Sequence, residues 1–194
     1  MRNRLRALFI LSALCSTGVT HAQDFPVKPI RMVVPLEPGG AVDIAGRAIA
    51  PRMTEFLGQS IVIENRGGAA GQIGTQQVAR EAPDGYTILI TIGGQHVLSL
   101  FTYKTLPYHP INDFTPITAI ADTILGISAS ASFGPNSLRE ALEFAKKNPG
   151  KVSYGHTGVG GTTHLAMEQI NQLAGTDIQH IPFKGGGPIT ISMV

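Results

Sequence analysis

Residues 30–47 read IRMVVPLEPGGAVDIAGR, and this stretch decides the fold. Ile30, Met32, Val33 and Val34 make a short apolar run rich in β-branched residues, as in a strand buried on both faces. Pro35 and Pro38 end it, because proline cannot donate to a sheet ladder. Gly39 and Gly40 turn the chain with almost no side-chain bulk. From Ala41 apolar residues recur at helical spacing, at Val42, Ala45, Ile49, Met53 and Phe56. A strand, a glycine turn and a helix in that order expose backbone N–H groups at a helix N-terminus. Such a place suits an anion, since the orphan donors and the helix dipole both favour negative charge. Ligands of open α/β sheets also sit at this end of the strands. The alternative is a tight turn with no ligand, and this stretch alone leaves both open.

The same order repeats along the chain. The first helix should end at Leu57-Gly58 and be kinked or divided at Pro51. Residues 60–64 (SIVIE) read as a second strand, and 65–74 (NRGGAAGQIG) as a second glycine-rich turn leading into a helix over 72–81. Pro83-Asp84-Gly85 signals a turn. A third strand, 86–92 (YTILITI), follows and is ended by Gly93, Gly94, Gln95 and His96. This β-α-β-α-β pattern predicts a parallel sheet flanked by helices. Residues 100–114, with Pro107 and Pro110, depart from it as an excursion toward a second lobe, and 117–129 read as extended chain crossing between lobes.

Residues 137–147 (SLREALEFAKK) are the clearest helix. Ser137 caps it, Glu140 completes a capping box, Lys146 and Lys147 complement the dipole, and Pro149-Gly150 stop it. A strand at 152–154, a third glycine turn at 155–161 (GHTGVGG), a helix at 162–173 and a strand at 178–183 (IQHIPF) follow. Lys184 and three glycines then open a last helix at Pro188. The expected division is a leader at 1–22, a first lobe at 23–115 and a second at 116–194. The chain stops at Val194 inside a helix without a capping residue, which reads as truncation.

Arg2, Arg4 and Arg6 precede an apolar run and then Thr20-His21-Ala22, the layout of a secretory leader cleaved after Ala22. The run is too short to span a bilayer. Cys15 follows Leu14, where lipidation needs a small residue, so no lipid anchor is expected. Removing three of the 15 basic residues and none of the 13 acidic ones leaves a near-neutral chain. That argues against nucleic-acid binding and against membrane insertion after cleavage. The single cysteine goes with the leader, so the exported chain has no disulfide and no thiol nucleophile.

Nucleotide motifs fail on inspection. Gly158-Val159-Gly160-Gly161 lacks the third glycine of a dinucleotide fingerprint, and Gly150-Lys151 precedes Val152 where a P-loop needs Ser or Thr. No G-x-S-x-G elbow is present. His96, His109, His156, His164 and His180 show no metal-helix spacing, so no metal or cofactor is expected. His109 and His180 read as ordinary polar residues. His156 and His164 flank the third glycine turn and are candidate ligand contacts. Asp43 either complements the helix dipole or holds the first glycine turn in shape. Where two glycine turns face across a cleft, three or four amides at about 1.5–3 kcal/mol each could hold a carboxylate with micromolar affinity.

KPIRMVVPLEPGGAVD, ENRGGAAGQIG, VAREAPDGYTIL, NPGKVSYGHTGVGGTTHLAME and IQHIPFKGGGP, in this order, closely resemble the receptors of tripartite tricarboxylate transporters, the Bug family. The resemblance runs from about Phe25 to the end. It implies an α/β, two-lobed periplasmic binding protein of type II-like architecture, with parallel-rich sheets flanked by helices and the second crossover to the first lobe missing. It also implies a receptor and not an enzyme, capturing a small organic carboxylate for membrane transporter subunits, with no cofactor. A periplasmic enzyme acting on carboxylates and a ligand sensor are the rivals. Backbone amides and bridging waters from both lobes would grip the ligand. Carried onto this sequence, the first lobe offers Leu36, Glu37, Pro38, Gly39, Gly40 and Asp43, with Gly93, Gly94 and Gln95 beside them. The second offers His156, Thr157, Gly158, Thr162, Thr163 and His164, with Lys184 and Gly185 nearby. Glu37 departs from the family's usual neutral residue, and is expected to favour ligands carrying a positive or hydrogen-donating group.

Overall fold

The computed structural model describes residues 24–193, without the side chain of Gln95. The leader at 1–22, with Cys15, lies outside these residues, as does Val194. Strand β1 (Ile30–Val34) is the middle of a three-stranded sheet of order β2-β1-β3, with β2 at Ile61–Asn65 and β3 at Thr87–Leu89. Both pairings are parallel, and Met32 stands opposite Ile63 on one side and Ile88 on the other. This central position explains the unbroken apolar run: Val33 and Val34 are fully buried. Met32, Val34, Val42 and Ile90 form the core, with Leu36, Ile49, Met53 and Ile63 packed on it.

Helix α1 (Ala41–Leu57) runs unbroken through Pro51, so the expected division does not occur. Pro51 and Arg47, the residue whose carbonyl faces its ring, are both exposed. On the solvent side of a helix a displaced carbonyl can bond water instead. A 3-10 turn at Ala69–Gly71 leads into α2 (Gln72–Ala79), shorter than expected at its carboxyl end. The third strand pairs only over Thr87–Leu89. Gly93, Gly94, Gln95 and His96 are not its terminating bend but the first turn of α3 (Gly93–Thr102). That turn is held by the segment behind it. The His96 ring packs edge-on against Phe114 at 4.9 Å and along Tyr108 at 6.3 Å, and its Nε2–H donates to the Pro110 carbonyl at 2.7 Å. Residues 117–129 carry no regular structure and lie exposed, Ile124 at 93%.

The second sheet pairs β4 (Ser153–His156) with β5 (Gln179–Pro182) in parallel, beside α4 (Leu138–Lys147), α5 (Thr162–Ala174) and α6 (Gly186–Met193). Ser137 accepts the Glu140 amide as expected, whereas the Glu140 carboxylate reaches back to the Asn136 amide, one residue beyond a standard capping box. Buried Asn171 fastens α5 to the entrance of β5. It donates to the Ile178 carbonyl and accepts the Ile178 amide, so neither backbone group is left unpaired. No helix among the described residues is long and apolar enough to cross a membrane.

Candidate functional site: facing glycine turns

The four glycine turns meet in two facing pairs. Turn 155–163 abuts turn 65–74: a Cβ placed on Gly158 would stand 2.8 Å from that of Ala70, and one on Gly161 3.7 Å from it. Turn 184–188 abuts turn 36–43: a Cβ on Gly185 would stand 3.3 Å from that of Glu37, and one on Gly187 3.7 Å from the Pro38 carbonyl. Between the turns lies an open hollow of about 430 Å³, walled by residues 68–71, 157–160 and 182–184 with Leu36, Thr102 and Tyr103. Tyr103 spans it, its hydroxyl donating to the Val159 carbonyl at 2.8 Å. Burial holds this phenol above its ordinary pKa, so it remains a donor at neutral pH.

Backbone strain is concentrated on these walls. Ala69 and Ala70 have left-handed φ values of 46° and 52°, which costs a non-glycine residue on the order of 1 kcal/mol. Gly158, at φ 135°, occupies a conformation closed to side chains. The N-caps of α1 and α5 are Gly40 and Gly161, and neither helix has a side-chain cap. The surface helix α4, in contrast, has Ser137. The first amides of α1 and α5 therefore lack the partner that a capping side chain supplies.

Of the residues expected at the site, Leu36, Thr157, Gly158 and Lys184 wall the hollow. Glu37 does not: its Oε1 would stand 2.6 Å from a Cβ on Gly67, so its carboxylate lies over that glycine. Pro38, Gly39 and Gly40 do not wall the hollow either. Asp43, only 3% exposed, accepts the Gly39 amide at 2.9 Å and the Asn65 side-chain amide at 3.0 Å, and pairs with Arg47. Asn65 also donates to the Leu36 carbonyl at 3.2 Å. Asp43 is thus the hub that fixes the first turn. Thr163 accepts the Thr157 amide at 3.2 Å, and the buried hydroxyl oxygen of Thr162 has no partner among the described residues. A Cβ on Gly93 or Gly94 would meet nothing within 4 Å, and neither walls the hollow. The side chain of Gln95 lies outside the described residues. The site list read from sequence lacked the walls at 68–71, Tyr103 and Phe183. The left-handed Ala69-Ala70 pair lay inside a turn already noted for its glycines, which was the available signal.

A small, partly open cavity of about 10 Å³ adjoins the hollow, lined in part by Gln72, His96, Ser99 and Gly160, with room for about one water. Gln72 Nε2 and His96 Nδ1 are buried there without a partner among the described residues. Because His96 Nε2 carries the proton given to Pro110, Nδ1 is an acceptor in the same cavity lining as the Gln72 donor.

His156, His164 and His180 come together with ring nitrogens within 4.8 Å of one another. Sequence spacing gave no sign of this; His180, read as an ordinary polar residue, is exposed and stands beside buried His156. Gly158 donates its amide to His156 Nδ1 and Gly160 to His164 Nδ1, each at 3.2 Å. An N–H can only donate, so both Nδ1 atoms are bare acceptors and both Nε2 atoms carry the proton. A metal on Nε2 needs the opposite tautomer. This arrangement of the cluster therefore does not fit a metal ion.

Residues 45–193 match the family described as Tripartite tricarboxylate transporter family receptor. A UPF0065 protein of Bordetella pertussis is 38% identical over 181 residues, covering 93% of this chain and 56% of that protein. A solved structure described as a periplasmic transporter superposes with a TM-score of 0.83 at 44% identity, over 87% of this chain and 57% of the other. R. palustris Rpa4515 with adipate gives 0.84 at 35% identity, over 88% and 57%. The chain thus spans just over half the length of these relatives. With the match covering most of its residues and the same parallel α/β arrangement, the chain belongs to the tripartite tricarboxylate transporter receptor family.

Proposed function

We propose that the chain is the capturing portion of an exported, periplasmic solute receptor. It takes a small organic carboxylate between two lobes, performs no chemistry on it, and presents it to membrane transporter subunits. The observation that carries this reading is the pairing of glycine turns from both sheets around one open hollow. The N-termini of α1 and α5, next to the turns at 36–43 and 155–163, lack side-chain caps, an arrangement that favours an anion nearby, and Lys184 adds a cation at the wall. A carboxylate held by three or four such donors is bound with micromolar affinity at about 1.5–3 kcal/mol per charged hydrogen bond. The relative holding adipate favours a dicarboxylate as ligand. Titration of the full-length receptor with adipate and shorter dicarboxylates, followed by calorimetry and thermal melting, tests this. Saturable binding with the ligand recovered unchanged is expected. Failure of every carboxylate to bind, or turnover of one, overturns it.

A further inference from the structure

Two of the three histidines are bonded to the wall of the hollow at residues 157–160, and the third is bonded to one of them. His156, on β4, is fully buried; its Nδ1 accepts the Gly158 amide and its Nε2 lies 3.2 Å from His180 Nδ1 on β5. His164, in the first turn of α5, accepts the Gly160 amide, with its ring centroid 4.6 Å from that of His156 and 5.0 Å from that of His180. Gly158 and Gly160 also wall the hollow. The Thr157 amide goes to Thr163 and the Gly161 amide to the Gly158 carbonyl. The turn's donors are therefore held by β4, α5 and the turn itself, two of them by imidazole Nδ1 atoms.

We propose that this cluster couples proton uptake to carboxylate capture: a proton added at Nδ1 of His156 or His164 displaces the Gly158 or Gly160 amide, freeing a donor for the hollow and placing a positive charge behind it. The coupling rests on the carboxylate-receptor reading above. Protonation sets two N–H donors face to face, an arrangement that cannot persist, so the amide must find another acceptor. A carboxylate in the hollow is that acceptor, and it is attracted by the new charge as well.

The surroundings keep the proton off until the anion arrives. Burial pushes His156 below the ordinary histidine range, and the nearby His164 and His180 act in the same direction. Glu168 of α5 opposes them. Its near oxygen is occupied by the Tyr154 hydroxyl of β4 at 2.7 Å, and Tyr154 is held well above its usual pKa and stays neutral. The described part of α6, which packs on β4, has no titratable side chain.

The sign follows. The free receptor disfavours the charge on His156 and the complex favours it, so binding takes up a proton and affinity strengthens as pH falls through the histidine range. The test is calorimetry of the full-length receptor with adipate at pH 8 and pH 6, in two buffers of different ionisation enthalpy. Expected are a dissociation constant about three- to tenfold smaller at pH 6 and net proton uptake. In the double variant His156→Asn/His164→Asn each side chain still offers an acceptor to its amide but cannot take a proton, and the dependence flattens. Without ligand, the imidazole nitrogen NMR spectrum at pH 8 shows Nδ1 bare in both rings. Equal affinity at the two pH values without proton uptake, a Kd that grows on acidification, or protonated Nδ1 at pH 8 overturns the coupling alone. Absence of binding by any dicarboxylate at either pH overturns the receptor reading together with it.

Discussion

The carboxylate Oδ2 of Asp43 accepts the backbone amide of Gly39 at 2.9 Å, reaching back from the first turn of α1 to the glycine turn that precedes it. The same side chain pairs with Arg47 and takes the Asn65 side-chain amide, so one buried charge joins the turn after β1, the end of β2 and α1. Removing it strands three donors at once. Asp43→Ala is expected to cost about 2–4 kcal/mol in urea denaturation. It should also lower ligand affinity, because the first turn loses its internal brace.

The Asp43 carboxyl is lowered from 3.8 to about 2, first by its hydrogen bond to Arg47 and further by Gly39 and Asn65, against the opposing effect of burial. The folded protein therefore binds fewer protons here than the unfolded chain. The contribution is complete above about pH 4 and is lost as pH falls toward 2. Denaturation midpoints between pH 5 and pH 2.5 should fall more steeply in the wild type than in Asp43→Asn, which has no proton to gain.

Gly158→Ala combines two penalties. At φ 135° an L side chain is strained, and its Cβ would lie 2.8 Å from that of Ala70 across the hollow. Ala70 is itself in a left-handed conformation and has little freedom to withdraw. The clash separates the two facing turns instead of disrupting either sheet. Stability should fall by about 1–2 kcal/mol while carboxylate affinity drops at least about tenfold, which melting and calorimetry on the same sample distinguish.

Tyr103→Phe removes one hydroxyl that donates across the hollow to the Val159 carbonyl. The ring remains, so the wall it contributes to the hollow survives. A neutral hydrogen bond of this kind contributes about 0.5–1.5 kcal/mol. The melting temperature should shift by a few degrees or less, and the shift should be smaller in the ligand complex if the bound carboxylate joins the walls of the hollow by itself.

The alternation of strand, glycine turn and helix was legible from residues 30–47 and its repeats, because burial on both faces of a parallel strand writes an uninterrupted apolar run. The start of α3 was not, because Gly93 and Gly94 are the poorest helix formers after proline, and what holds that turn is His96 packing against Tyr108 and Phe114. Tyr103 was invisible for a similar reason: its partner lies 56 residues away and no local pattern encodes it. The histidine cluster draws one ring each from β4, α5 and β5, and positions 156, 164 and 180 form no recognisable spacing. What the local sequence did announce about the site was its backbone: turns that must be glycine because another turn stands against them.

Glu37 sits where that backbone logic meets charge. Its Cβ packs on Gly185 of the turn paired with its own and its carboxylate lies over Gly67 of the other pair, so it is clamped between turns without walling the hollow. A negative charge beside an anion site repels the ligand through a few ångströms of partly excluded water, on the order of 1 kcal/mol at short range. Glu37→Gln keeps the shape and removes the charge. Affinity for plain dicarboxylates should rise about two- to tenfold, with the gain shrinking as salt is added. Ligands that carry an ammonium or hydroxyl near the carboxylate should gain less or lose affinity, because the repelling group is for them an attractive one. A thermal-shift screen of both proteins against paired ligands, such as a dicarboxylate and its amino-substituted counterpart, reads the difference directly. Identical rankings for the two proteins would show that the carboxylate serves only to fill the space over Gly67.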